Sequence, residues 1–326
     1  MTSPVTANPV LTFELTDAES ASLRDLAGVV ARCADGRLDE VPFVNAVRAH
    51  SEDVPPRVRQ VIRSFRRHPS NAGVLLIRGV AVPADLPETP VAAGSVQREA
   101  SVPSASLALI ALSLGEPVAF ASEKSGALVQ DVVPVPALAD TQSNGGSTAL
   151  SLHVENAFHQ HRPDYVLLLC LRSDPHGTAA LRVAAARQVF PLLKPEDEDA
   201  LRQDWYVTEP PPSFRTGAQA LPPHAVLCGE PEDPDIRVDF NATRGIGPKS
   251  AAALERLREA MELVVCDVNL RPGDLAVVDN RLALHGRTRF QPVYRGNDRW
   301  LQRMYVNVDL RRSRPFRSDD GHVLTE

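Results

Sequence analysis

Cysteine is scarce in this chain and widely scattered. Cys33, Cys170, Cys228 and Cys266 form no CxxC pair, so neither a disulfide framework nor a zinc knuckle is expected; reduced thiols in a cytoplasm are. Long apolar runs are missing too, and nothing approaches the length of a membrane span. The opening MTSPVTANPVLTFELTD lacks the basic and apolar regions of a secretory signal. Excess base is absent: 35 Lys and Arg against 41 Asp and Glu leave a net charge of −6, which argues against a nucleic-acid surface. The chain does have bulk. Its 326 residues, 43% of them hydrophobic, can bury a large core, and 28 prolines predict many loops and no long uninterrupted helix.

Thr16-Asp17-Ala18-Glu19 reads as a capping box opening a helix through about Cys33. Helical stretches follow near 40–50, 55–67 and 102–115, the last stopped by Gly115, with a buried strand GVLLIRGV at 73–80. Strands then dominate: GALVQDVVP, STALSLHVE, DYVLLLCLR, RVDFNAT, LVVCDVNL, DLAVVDN and WLQRMYVNVDL. PKSAAALERLREAM (248–261) is an amphipathic helix between two of them. Residues 209–234 hold so much Pro, Gly and charge that they predict a long surface loop, placed to act as a lid. The layout expected is one domain, 1–326: a mostly helical part over 1–90 and a β-rich core over 91–326.

In STALSLHVE the apolar Leu150, Leu152 and Val154 alternate with Ser151, His153 and Glu155. A period of two puts His153 and Glu155 on one strand face, where a buried pair must be compensated. A divalent cation would do so, but the triplet alone proves little: with nine histidines and 41 acidic residues about one His-x-acid is expected by chance, and His50-Ser51-Glu52 is a decoy at a helix end. Metal pair and ordinary polar face both stay open on this pattern. A distant His285, read as following the strand DLAVVDN, would complete two histidines and one carboxylate, the set that holds Fe(II) with three positions free. Arg299 lies fourteen residues beyond His285 and Arg303 four further. On a strand these two share a face and suit bidentate binding of carboxylates, although surface ion pairs are the common alternative.

Taken together, GSVQREAS, GALVQDVVPVP, HVENAFHQHRPDYVLLLCLR, RPGDLAVVDNRLALHGRT and DRWLQRMYV resemble the clavaminate synthase-like branch of Fe(II)/2-oxoglutarate dioxygenases. The resemblance runs from about residue 94 to the end and is looser before it. It implies a mainly β protein with flanking helices (α+β), a double-stranded β-helix or distorted jelly roll with iron between its sheets. It implies His153, Glu155 and His285 as iron ligands, Arg299 on the distal carboxylate of 2-oxoglutarate, Thr178 as a second aid to that co-substrate, and O2 as the other. Arg303 falls on the residue that holds an amino acid's carboxylate, and Glu123, Gln130, Asn144 and Asn156 on residues lining the amino-acid pocket. His159 and His161 read as structural loop residues.

The implied activity is hydroxylation of the β-carbon of a free L-amino acid for a non-ribosomal peptide or related natural-product pathway, with the small amino acid as partner and neither nucleic acid nor membrane. Relatives that hydroxylate arginine carry Asp-x-Asp where this chain has Asp239-Phe240-Asn241. One acid and one amide suit a side-chain amide, so L-asparagine giving 3-hydroxyasparagine is the first expectation. Arginine, lysine, glutamine or a non-proteinogenic basic amino acid is the alternative. A non-catalytic β-sandwich binder would have no need of all five groups, and a zinc hydrolase would need an HExxH motif that is not here.

Overall fold

The computed structural model describes residues 9–33, 37–214 and 222–325. The capping box forms as expected: Glu19 N–H donates to Thr16 Oγ1 at 3.2 Å and Thr16 N–H to Glu19 Oε2 at 2.8 Å, opening the helix Asp17–Arg32. Helices Val41–His50 and Pro56–Arg67 follow, each with proline in its first turn, where the missing N–H costs nothing. The helix Val102–Leu112 is buried on every side from Pro103 to Ala111, and the amphipathic helix runs over Pro248–Val264.

Nine strands form the larger sheet. Its main path runs Leu11–Glu14, Val74–Arg78, Leu275–Asp279, Tyr165–Arg172, Trp300–Asn307, Glu116–Phe120, Val323–Leu324, with Val129–Val132 paired to Trp300–Asn307 and Val96–Gln97 paired to Val129–Val132. Four strands form a second sheet in the order Cys266–Val268, Leu181–Ala185, Ala283–Arg287, Leu150–His153. The central strands of the large sheet are buried on both faces, so their sequences read as continuous apolar runs. Alternation survives in what each face meets. Leu167, Leu169, Val277, Met304 and Val306 pack against the N-terminal helices, while Val166, Leu168, Val278, Leu301 and Tyr305 pack toward the small sheet. Truncating an inward residue such as Leu168 to alanine would cost about 2–5 kcal/mol. The same alternation turns Arg303 inward, between the sheets. This is the distorted jelly roll with flanking helices.

The first 90 residues also carry two strands of the large sheet: the expected one, Val74–Arg78, antiparallel to Leu275–Asp279, and Leu11–Glu14 parallel to Val74–Arg78. Three expectations need correction. RVDFNAT is no continuous strand: Asp239 makes one bridge, to His153. Its carboxylate then accepts Asn241 N–H at 2.7 Å, and that side-chain turn breaks the ladder before Thr243–Gly245. His285 follows the strand Leu275–Asp279 as read, but it lies within a further strand, Ala283–Arg287, rather than in a loop. Residues 209–234 are not one open loop. Pro212–Phe214 is a 3-10 turn, His224 bridges Tyr206, and Leu227–Cys228 pairs with Asp235–Ile236, burying Val226 and Leu227. The middle of that segment, 215–221, lies outside the described residues. No helix among the described residues is long and apolar enough to cross a membrane.

Candidate active site

His153 and His285 are direct cross-strand partners in an antiparallel pair. Opposed residues project to the same face, and the two rings lie 4.4 Å apart, centroid to centroid. Gly286 permits the close approach of the two strands: a Cβ there would sit 2.5 Å from the Leu150 carbonyl oxygen, where the register shifts between His285 and Arg287. Glu155 follows His153 just past the strand end. It is pinned by Asn280, whose side chain accepts Glu155 N–H at 2.7 Å and donates to the carbonyls of Glu155 (3.1 Å) and Pro163 (2.8 Å). Asn280 is fully buried. One ligand atom from each of His153, Glu155 and His285 falls within 4.8 Å of the others.

The protonation states suit a cation. His153 Nδ1 lies 2.8 Å from the Ser151 carbonyl; a proton on Nδ1 leaves the Nε2 lone pair free. Burial, then the neighbouring His153, pushes the His285 imidazole down toward its neutral form. Burial alone would raise the Glu155 carboxyl, but Arg303 at 2.9 Å and the His285 hydrogen bond hold it well below the usual carboxylate range. Two imidazoles and one carboxylate, with open space beside them, fit Fe(II).

Arg303, on the strand Trp300–Asn307, joins the two glutamates. Its guanidinium donates to Glu155, Glu123 and Gln130 and stacks on Tyr305, 4.6 Å from the ring centroid. Tyr305 in turn donates to Glu123 at 3.0 Å.

Two cavities meet at this centre. A cleft of about 730 Å³ is bounded by His153, Glu155, Glu123, Asn156, Asp239 and the Pro210–Phe214 segment. A much smaller one is bounded by His285, Glu155, Arg287, Arg299 and Arg303. Glu123, Asn144, Asn156, Asp239 and Asn241 all line the cleft, and Asn144 lines both cavities. The Asn156 side-chain nitrogen is buried without a partner, on a backbone held at φ 52°. Such an unpaired donor facing a cleft suits a ligand acceptor. Gln130 lines neither cavity, and Arg303 lines the smaller one alone. Thr178 lines neither cavity, contrary to expectation, because its hydroxyl donates to Asp174 at 2.9 Å. His159 packs edge-on to Phe120 and His161 against Phe316, both apart from the centre.

Sequence reasoning passed over Asn280, Tyr305 and Arg287. Arg287 is two residues past His285, so its inward direction follows once Ala283–Arg287 is known to be a strand. Asn280 carries no comparable signal, since its partners are backbone groups 117 and 125 residues away.

Comparison with known proteins agrees with this geometry. The family described as taurine catabolism dioxygenase TauD, TfdA family, matches residues 52–305. The L-asparagine oxygenase of Streptomyces coelicolor is 47% identical over 321 residues, covering 98% of this chain and 96% of that protein. A structure of asparagine oxygenase in complex with Fe(II), 2S,3S-3-hydroxyasparagine and succinate superposes with a TM-score of 0.93 at 46% identity, covering 98% of this chain and 100% of that one. A structure of the non-heme iron oxygenase OrfP with Fe and alpha-ketoglutaric acid gives 0.87 at 29% identity, over 97% and 99% of the two chains.

Proposed function

The chain belongs to the TauD/TfdA family of dioxygenases, and from that premise we propose that it hydroxylates the β-carbon of free L-asparagine, giving 3-hydroxyasparagine. It is an iron- and 2-oxoglutarate-dependent dioxygenase, acting on a small amino acid. In this reading His153, Glu155 and His285 would hold the iron, and Arg299 the distal carboxylate of 2-oxoglutarate. Bound iron, 2-oxoglutarate and O2 supply the oxidant that replaces C–H by C–OH, with succinate and CO2 as by-products.

The protein's own residues supply aim and selection. Arg303 is the carboxylate anchor for the amino acid, and Glu123 with the free oxygen of Glu155 accepts from its ammonium. A zwitterion is thereby matched by the charges that pair with each other in its absence. Asn144, Asn156 and Gln130 offer amide hydrogen bonds at the same end. Asp239 faces the side chain. A carboxylate there accepts from the NH2 of asparagine, whereas aspartate would bring a second negative charge and leave a donor unmade. The single Asp239 beside Asn241, in place of two acids, is the observation that carries the choice of asparagine over arginine.

The test is direct: incubate the protein with Fe(II), 2-oxoglutarate and each of the twenty amino acids, and measure succinate. Asparagine is expected to drive most of the turnover; a preference for arginine or lysine would overturn the substrate assignment and leave the reaction class standing.

A further inference from the structure

Arg287 and Arg299 form an unusual pair. Both side chains are buried, 3% and 6% exposed, and both line the smaller cavity beside His285 and Glu155. Among the described residues neither meets a carboxylate within ion-pair distance, and the Arg299 side chain has no hydrogen-bond partner. Arg287 donates to the Thr148 carbonyl at 3.0 Å and the Asn144 carbonyl at 3.5 Å, and lies 5.1 Å over the Phe290 ring. Its Nε–H is buried with no acceptor. Guanidinium stays protonated inside proteins, so the cavity holds two fixed positive charges that no ion pair among the described residues matches, Asp174 acting on Arg299 only at a distance. Taking such charges out of water is costly unless an anion joins them.

We infer that Arg287 is a second cationic anchor for the co-substrate, sharing the distal carboxylate of 2-oxoglutarate with Arg299 through its unfilled Nε–H edge. The inference rests on the 2-oxoglutarate reading above. A distal carboxylate that met Arg299 alone would leave Arg287 uncompensated, whereas one shared between them offsets part of both charges. Arg287 also holds the carbonyl of Asn144, which lines the amino-acid cleft, so filling one cavity firms a wall of the other.

A plain structural role is the competing account, with Arg287 merely bracing the 144–148 loop through two carbonyls. Equilibrium titration of the anaerobic, Fe(II)-loaded protein separates the two, using 2-oxoglutarate and 2-oxopentanoate, which has the same length without the distal carboxylate. Arg287→Gln is expected to weaken 2-oxoglutarate by roughly tenfold or more and 2-oxopentanoate by much less, since only the dianion loses a charge partner. Arg287→Lys, which keeps the charge without the fork, should recover part of the loss and also covers the case in which the glutamine variant does not fold. An unchanged dissociation constant for 2-oxoglutarate, or equal weakening of both ligands, overturns the inference. Failure of the wild-type protein to bind 2-oxoglutarate would instead overturn the functional reading beneath it.

Discussion

The two cavities on either side of the metal triad differ in sign. The cleft presents Glu123, Glu155 and Asp239 with the amides of Asn144, Asn156 and Asn241; the smaller cavity presents Arg287, Arg299 and Arg303. Neither wall is neutral, and their ligands differ accordingly. In the proposed reading the dianion lies on the arginine side, and the amino acid lies on the acid-and-amide side with its carboxylate reaching across to Arg303. Glu155 borders both cavities, so in the proposed reading one residue would meet the iron, the substrate side and the co-substrate side. Breaking the triad should therefore erase the difference. His153→Ala is expected to abolish asparagine-dependent succinate formation. The loss should exceed a hundredfold, because even partners outside the ligand set commonly cost 10–100-fold. Retained turnover would remove His153 from the ligand set.

The arginine side should fail alone when its own anchor is removed. Arg299→Gln deletes a buried cation facing the dianion, a loss of about 2–5 kcal/mol. The KM for 2-oxoglutarate should rise by roughly a hundredfold while asparagine binding to the Fe(II) protein stays near wild type. Asn280→Ala acts at the junction. It leaves Glu155 N–H and two carbonyls without partners in a buried place, at about 1–3 kcal/mol each. It should lower the melting temperature and weaken Fe(II) by about 10–100-fold, seen by titrating the apo-protein. On the acid side, Asp239→Asn should shift selectivity from asparagine toward aspartate by roughly tenfold, the scale of one hydrogen bond to a charged group. A variant that kept its asparagine turnover and gained none on aspartate would show that Asp239 does not set the choice.

The arginine side was only partly legible in the sequence. Arg299 and Arg303 could be placed because four-residue spacing on a strand keeps one face, and WLQRMYVNVDL announces its strand through its apolar run. Arg287 could not, because ALHGR has only two clear apolar residues and a glycine. Its strand exists through pairing with Leu150–His153 and Leu181–Ala185 on its two sides. Asp239 comes beside His153 through a separate tertiary bridge that local sequence does not announce. The helices were legible locally, through Thr16 and Glu19 and through prolines in first turns, since capping is a matter of three or four residues. Thr178 was misplaced for the opposite reason. Asp174, four residues earlier, captures its hydroxyl, and nothing in the spacing separates a threonine aimed at a ligand from one turned into its own loop.

One more contrast between the walls concerns what stands behind them. Behind Asp239 runs a buried chain of hydrogen bonds: Asp239 N–H to Thr243 Oγ1 (2.9 Å), Thr243 to Thr208 (2.7 Å), and Thr208 to His224 Nε2 (2.8 Å). His224 Nδ1 lies 2.9 Å from the Ala225 carbonyl. A neutral His224 with its proton on Nδ1 satisfies every member in one direction. Burial pushes this imidazole down to about 4, with Arg237 and Arg162 acting the same way and the Ala225 hydrogen bond and Asp204 opposing. The sign follows. Below the usual histidine value the unfolded chain takes up a proton that the folded chain refuses, so the contribution is complete above pH 6.5 and drains away as pH falls toward 4. Asp279, raised by burial to about 6, works the other way, its contribution shrinking as pH rises through that value. Comparing wild type with His224→Gln cancels Asp279, which both proteins share. The wild-type advantage in unfolding free energy should shrink by about 1–3 kcal/mol between pH 7 and pH 4.5, read from denaturant midpoints. A pH-independent difference would mean that His224 is not held neutral, and that the chain behind Asp239 can reverse its direction without cost.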